Sequence, residues 1–105
     1  MTWAPLRYAR GMSAVVHWHC VAVGRVQGVN YRVRVAESAR RHGVVGAVEN
    51  RPDGSVFLDV QGPVDVLEAF LKDVRGPRGM SHAHSVERVA EVPVSPDLYG
   101  FEIVR

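Results

Sequence analysis

The sequence predicts an α+β chain of the ferredoxin-like, split βαβ kind: an antiparallel sheet of four to five strands with two helices on one face. Three observations carry this. Short β-branched runs bounded by glycine or proline recur, two stretches show apolar residues at helical spacing, and the order is strand, helix, strand, strand, helix, strand with a small strand at the end. Two helices that are each apolar along one stripe must cover one face of a single sheet, and the split arrangement does this.

The chain has 105 residues, which suits one domain. Residues 15–105 are expected to form it, with 1–14 a loosely ordered extension and Met12 an alternative start. A single cysteine, Cys20, excludes an internal disulfide framework and an all-cysteine zinc cluster. A reducing cytoplasm is the expected compartment. The net charge of +2 and pI near 9.1 suit an anionic ligand but are too small to argue for nucleic acid. No apolar run is long enough to span a membrane.

His17 to Gly24, HWHCVAVG, reads as the first strand, with Trp18, Cys20 and Ala22 turned inward. From Val29 to His42, Tyr31, Val35 and Ala39 recur every four positions with Arg34, Arg40 and Arg41 between them. That predicts an amphipathic helix stopped by Gly43. Val44 to Asn50 is the second strand, RPDG (Arg51 to Gly54) a tight turn, and Ser55 to Gln61 the third strand. On that strand Val56, Leu58 and Val60 share one face, and Phe57, Asp59 and Gln61 the other.

Pro63 sits where a helix start tolerates proline, and Leu67, Phe70, Leu71 and Val74 follow at i, i+3, i+4 and i+7. Gly76-Pro77 ends this second helix. PRGMSHAH is expected to be a loop, SVERVAEVPV a fourth strand, and Tyr99 to Val104 a short last one.

The stretch GRVQGVNYR, Gly24 to Arg32, leaves the first strand and enters the first helix. The first two strands of a βαβ crossover run the same way, so this loop and Asn50 lie at one edge of the sheet. One intervening strand separates them by roughly 10 Å, twice the interstrand spacing. A helix start offers unpaired amides and the positive end of its dipole. Gly24 and Gly28 let loop amides converge, and Arg32 adds a fork that grips phosphate. Asn50 can hold a water but cannot deprotonate it.

Such a site has no base, thiol or metal ligand, so it suits a substrate whose leaving group departs unaided. A carboxylate leaving from phosphorus is one. The reading narrows to mixed carboxylic–phosphoric anhydrides, with the phosphate itself accepting the water's proton.

GRVQGVNYR, followed by GAVENRPDGSV (Gly46 to Val56) and VQGP (Val60 to Pro63), resembles the acylphosphatase family, from about Val16 to the end of the chain. The resemblance implies a ferredoxin-like sheet and hydrolysis of acyl phosphates to a carboxylate and inorganic phosphate without metal or organic cofactor. It implies that Arg32 binds phosphate, that Asn50 orients the attacking water, and that the cradle is built from the amides of Arg25, Val26, Gln27, Gly28, Val29, Asn30 and Tyr31. The substrate is then a small acyl phosphate, with neither nucleic acid nor membrane as partner and a monomer as the default. Asn30 stands where many members have glycine, and Tyr31 replaces phenylalanine. Ala47 takes a usually aromatic position and Glu49 an often basic one. Arg34 and His42 fall where apolar residues are frequent, an expected weakness in the packing of the first helix.

Other readings compete. The pairs His17/His19 and His82/His84 have i, i+2 spacing that suits a metal, but no carboxylate or cysteine is expected to complete a set, and the second pair falls in the predicted loop. Cys20 is expected to be a small core residue. The same element order serves RNA-recognition modules, which stack bases on aromatics of a central strand; here the third strand offers Phe57 alone. A small-molecule-sensing domain is another alternative. A third is the head module of a hydrogenase-maturation protein, for which zinc-finger cysteines would be expected.

Overall fold

The computed structural model describes residues 13–105. Eight elements follow in order: β1 (Val15–Arg25), α1 (Tyr31–His42), β2 (Val45–Asn50), β3 (Val56–Pro63), α2 (Val64–Asp73), β4 (Gly76–Arg78), β5 (Ser81–Val92) and β6 (Phe101–Val104). The strands form one sheet in the order β4-β5-β1-β3-β2-β6. The split βαβ arrangement is therefore present, with β3 between β1 and β2.

Two expectations need correction. The sheet has six strands rather than four to five, and it is mixed, because β6 runs parallel to β2. The extra strand comes from the segment expected to be a loop: Gly76–Arg78 pairs back onto Ser81–Ala83 in a tight hairpin. The glycines and proline of that segment mask a β-ladder whose partner is only two residues away. His82 and His84 accordingly lie in β5 and not in a loop.

The core lies between the sheet and the helices. Trp18, Cys20 and Ala22 of β1 and Val56, Leu58 and Val60 of β3 are buried against Tyr31, Val35 and Ala39 of α1 and Leu67 and Phe70 of α2. These are the faces that the alternation and the four-residue spacing select. Burial pushes the Cys20 thiol up to about 12, a small effect of nearby Arg88 opposing it, so the thiol is inert core.

Arg34 departs from the expected weakness. It is buried, and its guanidinium donates to the carbonyls of Asp73 (3.1 Å), Arg75 (3.0 Å) and Gly76 (2.9 Å) and to Ser81 Oγ (3.1 Å). Tyr31 adds a hydrogen bond from its hydroxyl to the carbonyl of Val74 at 2.9 Å. The carbonyls of Asp73, Val74, Arg75 and Gly76, at and just beyond the end of α2, are thus collected by two side chains of α1. Arg34 locks the helices together instead of loosening them.

Of the expected N-terminal extension, residues 1–12, including Met12, lie outside the described residues. Ser13 and Ala14 are tied to the start of α2: Ser13 Oγ donates to Asp65 Oδ1 (2.5 Å), and the Val64 amide donates to the Ala14 carbonyl (3.0 Å). Among the described residues no helix is long and apolar enough to cross a membrane.

Candidate phosphate site

Between β1 and α1 the backbone turns sharply. Gly28 has φ 74° and Asn30 φ 62°, the latter the one non-glycine residue with positive φ among those described. Asparagine is among the few side chains that tolerate this left-handed geometry, which explains how it can stand at a glycine position. Gly24 has a different task from the one expected. It lies within β1 at a register shift, and a Cβ there would come within 2.3 Å of the His82 carbonyl oxygen. Gly24 lets β5 approach; Gly28 shapes the loop.

The helix ladder begins with the Arg34 amide donating to the Asn30 carbonyl at 3.1 Å. The amides of Tyr31, Arg32 and Val33 therefore stand ahead of the ladder. Asn30 makes no side-chain cap and the first turn carries no acid, so the positive field at the helix start is not neutralised locally.

These groups face a concavity of about 300 Å³ lined by Val26, Gly28, Asn30, Tyr31, Arg32, Val33, Asn50, Ile103 and Arg105. Two of the lining residues are arginines and none is acidic. Arg32 Nη1 donates to the Val104 carbonyl at 2.7 Å, which fixes the guanidinium while using one corner of it. Asn50 ends β2, and its Oδ1 is buried without a protein partner among the described residues. An unsatisfied buried carbonyl oxygen at a polar concavity is an acceptor waiting for a donor such as water.

The residues singled out from the sequence do not all converge. Arg32, Asn50, Val26, Gly28, Asn30 and Tyr31 line the concavity, whereas Arg25, Gln27 and Val29 do not. Arg25 is the last residue of β1 and pairs with His82, while Val29 borders a neighbouring depression with Met80. Gln27 reaches sideways. Its Nε2 donates to the carbonyls of Arg51 (2.7 Å) and Ser55 (2.8 Å), strapping the loop to the β2–β3 hairpin that carries Asn50. The turn is itself held by Asp53, which accepts from the Ser55 amide (3.0 Å) and hydroxyl (2.6 Å). Those bonds from Ser55 hold the Asp53 carboxyl below its usual range.

Arg105 was not foreseen. It follows β6, and because β6 is parallel to β2 its end falls at the same edge as Asn50. The sequence shows a final strand but not which neighbour it pairs with.

A family model described as acylphosphatase matches residues 18–103. The chain belongs to the acylphosphatase family. An acylphosphatase of Azorhizobium caulinodans is 44% identical over 73 residues, covering 70% of this chain and 75% of the relative. One from Cupriavidus pinatubonensis is 42% identical over 85 residues, covering 81% and 88%. The crystal structure of acylphosphatase from Bacillus subtilis superposes with a TM-score of 0.78 at 29% identity, covering 86% of this chain and 99% of that one. The acylphosphatase match spans both β1 with its loop and the hairpin bearing Asn50, so it takes in the whole concavity except Arg105.

Proposed function

We infer that this chain is an acylphosphatase that cleaves a carboxylic–phosphoric anhydride to a carboxylate and inorganic phosphate, with Arg32 holding the phosphoryl group and Asn50 holding the water. Family membership and the structural likeness support the activity. The observation that carries the division of labour is that one concavity is lined by Arg32, by the first turn of α1, whose amides have no partner among the described residues, and by Asn50, whose Oδ1 likewise has none.

In this reading the phosphoryl oxygens sit over the Gly28–Val33 backbone and the open side of the Arg32 guanidinium. Donors fixed in advance there stabilise the charge that gathers on the equatorial oxygens. Asn50 Oδ1 accepts from the attacking water and sets its line toward phosphorus. The water's proton passes to a phosphoryl oxygen, and the P–O bond to the acyl group breaks with its electron pair leaving on the carboxylate. No side chain need act as acid or base.

A cytoplasmic monomer without a nucleic-acid partner completes the proposal. The open face of the sheet supports the last point. Phe57 lies beneath the Arg51 guanidinium, 4.1 Å from its ring centroid, so the aromatic ring of the third strand is already stacked.

The test is hydrolysis of benzoyl phosphate in the presence of a chelator, run beside a gel-shift assay with mixed RNA. Turnover without a shift is expected. A shift without turnover would overturn the reading in favour of an RNA-binding module.

A further inference from the structure

On the sheet face away from the helices, β1 and β3 bring three ligand-type side chains together. His17 and His19 alternate onto that face, and Asp59 lies directly across from His19 in the β1–β3 register. The carboxylate that the sequence did not supply as a neighbour arrives from the adjacent strand. One ligand atom from each of His17, His19 and Asp59 lies within 4.8 Å of the other two. None of the three lines the phosphate concavity.

The hydrogen bonds around the cluster are informative. His17 Nδ1 is 3.0 Å from the Pro93 carbonyl oxygen, which can only accept, so Nδ1 carries a proton. In the neutral ring Nε2 then bears a lone pair, and it points at Asp59 Oδ1, 2.5 Å away. His19 Nε2 faces the same oxygen at 3.3 Å. With both rings neutral and Nε2 unprotonated, three electron-pair donors converge, an arrangement that a cation at their centre satisfies. The carbonyl behind His17 is the outer partner that fixes the tautomer of metal-binding histidines. The His19 ring is steadied by the edge of Phe57, 5.0 Å between centroids.

We propose that His17, His19 and Asp59 form a zinc site that clamps β1 to β3 and, through Pro93, to the segment leaving β5. Two imidazoles and one carboxylate suit zinc or a similar first-row divalent ion and disfavour magnesium and calcium. Bonds near 2.0 Å in a tetrahedron set ligand atoms about 3.3 Å apart. His19 and Asp59 already stand at that separation, while His17 and Asp59 must part by roughly 0.8 Å to reach the same tetrahedral edge. The Asp59 side chain is 29% exposed and the His19 side chain 33% exposed, so the solvent side of the cluster leaves a fourth position for water.

The experiment is titration of the metal-stripped protein with zinc in competition with a chromophoric chelator, with cobalt as a spectroscopic probe and thermal unfolding as a second readout. One ion per chain, intense visible cobalt bands of a tetrahedral site and a melting temperature several degrees higher are expected. His19→Ala and Asp59→Asn should each weaken binding at least about tenfold and abolish the cobalt bands. His82→Ala should leave both unchanged. Absence of stoichiometric binding by the wild type would overturn the site and leave a histidine–aspartate hydrogen bond only. Binding that survives in both folded variants, or that disappears in His82→Ala, would place the metal elsewhere.

Discussion

Arg32 and Arg34 sit two residues apart on the same helix and have opposite surroundings. Arg34 is buried and donates to three carbonyls from the end of α2 to the start of β4 and to the Ser81 hydroxyl of β5. Arg32 is half-buried, anchored at one corner to Val104, and lines a concavity beside helix amides and an Asn50 Oδ1 that have no protein partner among the described residues. Side chains of α1 bond the chain leaving the C-terminal end of α2, whereas the first amides of α1 have no partner among the described residues. The paired polar groups hold the helices together, whereas the first amides of α1 and the Asn50 carboxamide oxygen, which have no protein partner among the described residues, belong to residues that line one concavity.

The sharpest way to break that contrast is to exchange the effects of the two arginines. Arg32→Ala is expected to lower kcat/KM for benzoyl phosphate about a hundred- to a thousandfold, with the melting temperature nearly unchanged. Arg32→Lys should recover little, because a point charge cannot replace a fork held at one corner by Val104. A fully active lysine variant would mean that the phosphate is not gripped through two bonds.

Arg34→Ala should do the reverse. Removing the shared donor of three part-buried carbonyls is expected to cost about 3 kcal/mol in urea unfolding, while the folded fraction keeps its catalytic constants. Tyr31→Phe is the milder version, removing one buried bond to Val74 for about 1 kcal/mol.

The smallest effect concerns Asp73, where the same helix end is pinned from outside. Its carboxylate accepts from Ser38 Oγ at 2.5 Å and pairs with Arg41 at 2.7 Å and Arg78 at 3.2 Å. The Ser38 bond first, then the two arginines, hold its carboxyl below the usual range. A carboxyl lower in the folded than in the unfolded chain adds stability above the unfolded value, near pH 4, and loses it as pH falls through the folded one. Urea midpoints should therefore decline below about pH 4. Ser38→Ala should flatten that decline.

Much of this contrast was legible in the sequence. The four-residue spacing on α1 and the alternation on β3 select the buried faces, because burial of one stripe is what gives each element its period. The loop and Asn50 were brought to one corner by the direction of a βαβ crossover alone. What escaped was set by partners distant in the chain. Arg34 reads as a flaw in an apolar stripe until the carbonyls of α2 are placed beneath it. Asp59 joins His17 and His19 only through strand register, and Arg105 reaches the site only because β6 chooses β2 as its neighbour. Gln27 belongs to the loop by position, yet it acts on the hairpin through bonds that no local pattern encodes.

The most direct measurement separates water positioning from phosphate binding at Asn50. For Asn50→Ala, kcat with benzoyl phosphate should fall about a hundredfold or more, while the inhibition constant of inorganic phosphate stays within about threefold of wild type. An unchanged kcat would contradict the role assigned to the Asn50 carboxamide.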